Sequence, residues 1–444
     1  MRWTVRLFPF ICRSAVIAGL FAAPVCSVQF TLGQDTLMAR QLLDTLCSPA
    51  FAGRGYHFEG QQRAGMYLME QMRAWGLQSV ASPPCTVRVA RYDTVQLKVG
   101  RRWLRPGIDY TLPAGSGVGS GLLTGLPRFS KDSGYYREKN KYLYYYNTNI
   151  NKSLSESSPH LAAYSNSRSM PSPGTPRVEV EWRKGPFIGS LTDSIGCTTR
   201  LRIDPGVLPK RPGRLRWHVG GELSESRQHN IQGLITGTRY PDSILLVCAH
   251  YDHLGMLGRD CLYPGANDNA SGTALLMDLA RHYAQPRNRP AYSLMFVAFA
   301  AEEAGLIGSR HYTAQPPIPL AQHILVINLD LMGGGSNGLM VVNGQEEAGV
   351  TDLIRRCNAG GGYFSRIDVR ANAPNSDHYP FTQRGIPAVF LYTQGDVTAY
   401  HHPADRAEDL AWRHYTHAFR LLRDVVDRRM TEYSAVVTHP NKQP

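Results

Sequence analysis

The chain has 444 residues, 43% of them hydrophobic and 19% charged, a composition that excludes a disordered or fibrous protein and suits two or three domains with a large core. The formal charge of +13 is uneven: residues 1–230 hold 30 basic and 15 acidic side chains, whereas residues 231–444 hold 18 and 20. The basic residues are dispersed and no nucleic-acid motif accompanies them, so they read as a solvated face and nucleic acid is not an expected partner.

The first 27 residues differ from the rest. Arg2 and Arg6 precede the apolar run AVIAGLFAAPV, which is too short for a mature spanning helix and reads as a secretory signal peptide cut near Ser27. Cys26 raises a lipoprotein alternative, but APVC lacks the small residue expected before a lipidated cysteine. A periplasmic or secreted protein is therefore the expectation. No later stretch approaches the roughly 20 apolar residues of a membrane span, so no stable membrane insertion is expected. The remaining cysteines (Cys47, Cys85, Cys197, Cys248, Cys261, Cys357) are scattered without a C-x-x-C pair. That argues against a thiolate zinc site and a disulfide-dense scaffold, leaving room for one or two bridges. Cys248 lies within an apolar run and reads as a small core residue.

Residues 28–113 form an N-terminal lead-in. Within it, 35–80 reads as helical: Ala64, Leu68, Met72 and Trp75 keep helical spacing, and Gly76 stops the run. From about 81 the texture changes to alternating segments such as TVRVARYDTVQLKVG, which read as strands. Residues 114–230 are expected to be a β-rich insert with long loops. It carries a tract rich in tyrosine and serine, YYREKNKYLYYYNTNINKSLSESSPH, whose tyrosines suit a sheet surface as well as a ligand platform.

From 231 to 435 the pattern is α/β, followed by a flexible tail over 436–444. SILLVCA, YSLMFVAFA, HILVINLDL and PAVFLY read as buried strands. ASGTALLMDLARHYAQ reads as a helix opened by the asparagine and serine around 269–271, and AEDLAWRHYTHAFRLLRDVVDRR as a closing helix. The predicted fold class is α/β: a doubly wound, mostly parallel sheet with helices on both faces, plus the β-rich inserted domain. Ligands of such sheets gather at the carboxyl ends of the strands.

Polar residues sit at those ends. His250 follows one strand, Asp268 lies at the mouth of the next helix, and Glu302 and Glu303 follow the next strand. Asp330 ends another strand, and His401 follows PAVFLY. Singly each has an ordinary structural reading as a helix cap, a solvated first-turn charge or a loop residue. Five such sites at one edge of one sheet make coincidence improbable. Imidazole and carboxylate donors without thiolates suit zinc, with cobalt or manganese as alternatives. Two His, two Asp and one Glu carry about −3, a hydroxide makes about −4, and two divalent ions balance that sum. Glu302 is left beside Glu303, where a general base belongs.

The stretches AHYDHLG, GANDNASG, FAAEEAGLIGS, INLDLMG, NSDHYPF and YHHPAD, in that order, resemble the M28 zinc peptidases, a family that includes secreted bacterial aminopeptidases. LCSPAFAGRGYHFEGQQRAGMYLMEQMRAWGL is similar to that family's lead-in; residues 114–227 show no clear match, although many relatives hold a protease-associated domain there. The resemblance implies two zinc ions per chain, with Asp268 bridging them, His250 and Asp330 completing one site, and Glu303 and His401 the other. It implies that Asp252 orients His250, that Glu302 takes a proton from the bridging water and passes it to the departing amine, and that Tyr400 steadies the oxyanion. It further implies a cis peptide bond after Asp268 and a supporting role for Asp377 and His378. His253 and His402 are read as supporting or as ordinary loop histidines. The implied activity is removal of N-terminal residues from peptides with a free N-terminus. A glutaminyl cyclase, a carboxypeptidase and a non-catalytic receptor domain of the same fold are the alternatives.

Overall fold

The computed structural model describes residues 36–123, 144–147, 177–182, 185–209 and 213–438. The expected signal segment, most of the tyrosine-rich tract and residues 439–444 lie outside these. No helix among the described residues is long and apolar enough to cross a membrane.

An eight-stranded sheet carries the site. Its order is Gln78–Ala81, Ile231–Ile235, Tyr292–Phe299, Tyr240–His250, His323–Leu329, Ala388–Gln394, Gly338–Val342, Ile367–Arg370. The four strands from Tyr292–Phe299 to Ala388–Gln394 run parallel, and antiparallel strands flank them. Parallel strands are buried on both faces, and the sequence obeys this: all eight residues of Tyr292–Phe299 are buried. Alternate side chains then serve two cores. Leu245, Val247, Leu294, Phe296 and Ile327 face the helices Thr36–Cys47, Gly60–Ala74, Gly272–Ala284, Ala348–Gly361 and Trp412–Thr438. Leu246, Cys248, Met295, Val297 and Val326 face the opposite side, against Tyr312 and Phe381. The predicted α/β class, with a mostly parallel sheet covered on both faces, is the observed one. Cys248 is the core residue expected, and all six described cysteines are free thiols.

The lead-in departs from a continuous helical region. Its two helices are separated by a 3₁₀ segment, Pro49–Arg54, and Gln78–Ala81 is a strand. Pro49 begins the break, and Ala52, Gly53, Arg54, Phe58 and Glu59 all take positive φ, which an α-helix does not accommodate. Gly76, at φ +80°, ends the second helix as expected.

The alternating segment after residue 81 is one 16-residue strand, Pro84–Val99. It pairs antiparallel with Leu215–His229, with a register shift between Arg91 and Thr94. Cys85, Val87 and Val89 join the main core, whereas Val95, Leu97 and Val99 join a second core with Tyr110, Val178, Leu201 and Trp217. This second core belongs to two four-stranded sheets built from residues 84–123, 144–147, 177–182, 198–203 and 215–229. The β-rich unit thus draws on residues before 114.

Arg54 fastens the lead-in to the sheet. Its fully buried guanidinium donates to the carbonyls of Tyr251 at 2.8 Å, Leu46 at 2.9 Å, Pro264 at 2.7 Å and Gly265 at 2.6 Å. An uncharged side chain of similar length leaves four carbonyls without this donor, and buried groups so orphaned cost about 1–3 kcal/mol each before relaxation. Arg54→Met should therefore destabilise the fold by about 3 kcal/mol or more in urea titration. A loss under about 1 kcal/mol would show that water or neighbouring groups replace the guanidinium.

Candidate metal centre

The parallel register brings the ligand-bearing strand ends to one level. His250 lies opposite Phe299, Cys248 opposite Asn328, and Leu329 opposite Leu391. The chain must turn sharply there, and Ala301, Leu331 and His401 all adopt left-handed φ near 50–60°. Such conformations are uncommon for residues with a Cβ and mark positions held by their surroundings.

Asp268 stands at the centre with its two oxygens directed apart. Oδ1 lies 3.3 Å from His250 Nε2, which is itself 3.4 Å from Asp330 Oδ1. Oδ2 lies 3.0 Å from His401 Nε2, which is 3.1 Å from Glu303 Oε2. His253, Asp268, Glu303 and His401 form one group whose donor atoms lie close enough to hold an ion, and His250, Glu302 and Asp330 form a second. All five residues named from the sequence fall in these groups, and Asp268 Oδ1 reaches from the first toward His250 of the second. The peptide bond between Asp268 and Asn269 is cis. Asp330 Oδ1 and His401 Nε2 are buried without a hydrogen-bond partner, which fits donors reserved for a cation.

The electrostatics agree. Burial opposes protonation of His250, yet Asp330 and Glu302 hold its pKa well above the ordinary value. Burial likewise opposes His401, but Asp268 and Glu303 raise it to about 11. The carboxylates thus draw positive charge onto the imidazoles, a role that bound divalent ions take over when they displace those protons.

The paired glutamates are separated by environment. Burial raises Glu302 well above the usual carboxylate range, partly opposed by His250. Burial and Asp268 also act to raise Glu303, but the His253 hydrogen bond and the His401 imidazole beside it prevail and bring it to about 2. Glu302 Oε2 lies 4.0 Å from His250 Nε2, at the edge of the first donor group.

Asp252 does more for the glutamates than for His250. Its carboxylate accepts the backbone N–H groups of Glu302 and Glu303, each at 3.2 Å, and the hydroxyl of buried Tyr56. The His250 ring instead donates from Nδ1 to the Asp252 main-chain carbonyl at 3.2 Å, while the nearer carboxylate oxygen is 3.7 Å away. His253 is no ordinary loop residue, since its Nδ1 donates to Glu303 Oε1 at 2.7 Å. His402 stays within its own turn, accepting Ala404 N–H at 3.1 Å. Tyr400 is half exposed, with its ring stacked on His401 at 3.9 Å. In the serine–aspartate–histidine stretch, Ser376 touches the site, donating to Asp330 Oδ2 at 2.9 Å. His378 turns to Asn372 Oδ1 at 3.2 Å, and burial lowers it to about 4. Buried Asp377 is pushed to about 7, burial outweighing the pull of His250.

Sequence reasoning passed over Tyr56, Ser376 and Asp405. The Asp405 carboxylate accepts the backbone N–H of Asn267 at 2.8 Å and of Asp268 at 3.1 Å, holding the central loop from the end of the YHHPAD stretch. Its place in that stretch is the available signal, as are the places of Ser376 in NSDHYPF and of Tyr56 in the lead-in stretch.

Residues 230–426 match the model of "Peptidase family M28". These residues belong to peptidase family M28. The matched region begins at the second sheet strand and ends in the last helix, enclosing all five donors. The chain is 31% identical over 185 residues to "Aminopeptidase YwaD" of Bacillus subtilis strain 168, covering 39% of this chain and 38% of that protein. It is 29% identical over 161 residues to "Leupeptin-inactivating enzyme 1" of Streptomyces exfoliatus, covering 36% and 34%. The matched stretches thus span little more than a third of those curated relatives. In fold, the chain is similar to the solved structure of BSAP, a zinc aminopeptidase from Bacillus subtilis, with TM-score 0.62 and 19% identity over 90% of this chain and 95% of that one.

A cluster of buried carboxylates repels itself without compensating cations, so zinc added to chelator-treated protein should raise the melting temperature. A ligand at a thousand times its dissociation constant stabilises by about 4 kcal/mol. Asp268→Ala should remove most of the shift in a thermal-shift assay. An unchanged melting temperature for the unaltered protein would argue against a metal centre here.

Proposed function

We propose that the chain is a two-zinc aminopeptidase that removes N-terminal residues from peptides. The observation that carries this reading is the division of the Asp268 oxygens between two donor groups, His250 with Asp330 and His401 with Glu303. When bound, a pair of divalent ions supplies Lewis acidity toward the scissile carbonyl and acidifies water.

The protein's own groups do the rest. Glu302 belongs to neither half of the five-ligand set. Its side chain is 14% exposed at the rim, and its backbone is fixed by Asp252. A carboxylate there accepts a proton from the attacking water and delivers it to the departing amine. The environments that drive Glu302 up and Glu303 down suit one residue for proton transfer and its neighbour for permanent ionisation. Tyr400 donates a hydrogen bond to the oxyanion in this reading, which its half exposure and its stacking on His401 support.

Glu302→Gln should lower turnover of aminoacyl p-nitroanilides by about 10²–10⁴-fold while zinc content stays near normal. Glu303→Gln should instead lose zinc, with partial restoration when zinc is added. N-acetylated versions of the same substrates should not be cleaved. Full turnover by Glu302→Gln would remove it as the general base, and cleavage of blocked substrates alone would remove the aminopeptidase reading.

A further inference from the structure

The metal centre is not built by the M28 domain alone. Residues 185–192, from the β-rich unit, reach the loop that carries His401. Gly189 N–H donates to the His401 carbonyl at 2.8 Å, and His401 Nδ1 lies 3.2 Å from the Gly189 carbonyl. The segment is anchored on both sides of this contact. Phe187 is buried, Leu191 packs against both the main and the second core, and the Thr192 carbonyl accepts Ala90 N–H at 2.8 Å.

We propose that Gly189 is a positioning residue for His401, so that filling of the Glu303–His401 half of the centre depends on the β-rich unit. This rests on the two-zinc reading above. A carbonyl oxygen can only accept, so the contact requires the His401 proton on Nδ1. Nε2 is then the ring atom left to ligate, and it faces Asp268 Oδ2 and Glu303 Oε2. The reciprocal Gly189 N–H bond fixes the His401 backbone at its left-handed φ of +52°. Partners of this kind set the tautomer and the aim of metal-binding histidines.

Position 189 leaves little room for a side chain. A Cβ there would lie 2.7 Å from Leu254 Cδ1 and 3.0 Å from Tyr263 Cε1, both on buried residues. A single methyl asks for a small shift of the Leu254 tip, whereas a branched side chain meets both neighbours at once and presses the segment away from His401.

The test is stepwise zinc titration of the metal-free, full-length protein by calorimetry. Gly189→Val should weaken one of two zinc ions by about 10–100-fold and leave the other unchanged. Ile188→Ala, in the same segment but half exposed, should bind both as the unaltered protein does. His401→Ala should weaken the same ion, and adding Gly189→Val to it should cost little more, because one acts through the other. Gly189→Ala, with the smaller clash, provides the same comparison if the valine variant does not fold. Unchanged binding, equal weakening of both ions, or additive losses with His401→Ala would overturn the proposal. A single zinc in the unaltered protein would instead overturn the two-zinc reading, with additivity still deciding the part played by Gly189.

Discussion

The placement of the Asp268 carboxylate constrains the rest of the molecule. An ionised carboxylate taken out of water costs several kcal/mol unless it is compensated, and here Glu303 shares its donor group while Glu302 and Asp330 stand in the adjoining one. Such a cluster persists only in a frame that denies each side chain its retreat to solvent. The parallel sheet provides that frame by setting four adjacent strands in register, with left-handed residues at Ala301 and Leu331 turning the chain beyond two of them.

Main-chain clamps hold those turns. Asp252 grips the Glu302–Glu303 backbone, Asp405 grips that of Asn267–Asp268, and Arg54 binds the carbonyls of Tyr251, Pro264 and Gly265. Each uses a charged side chain on peptide groups and leaves the ligating atoms free. Charge-assisted bonds to backbone are stronger than neutral ones, so loops so fastened keep their donors in place before any ion arrives. The lead-in supplies Arg54 and Tyr56, and the β-rich unit supplies Gly189. The centre therefore draws on three parts of the chain, although all five donors lie within one.

The strands and donors were legible because they obey local rules. Apolar runs such as SLMFVAF announce buried parallel strands, and polar residues directly after them stand out. The supporting contacts obey no local rule. Tyr56 and Asp252 are 196 residues apart, and Gly189 and His401 are 212 apart. No periodicity encodes such pairs. A second histidine beside a ligand motif carries no local mark of its partner, and the ring of His253 meets Glu303 50 residues away. The apolar spacing of Ala64 to Trp75 describes only the second helix of 35–80; the break before it lies at Pro49 and Gly53, residues that end helices.

Whether one carboxylate is shared between two ions can be read from crystals grown with zinc and measured on either side of the zinc absorption edge. Two anomalous peaks should flank Asp268, one beside His250 and Asp330 and the other beside Glu303 and His401. A single peak at full occupancy, with Asp268 bound through one oxygen only, would rule the sharing out.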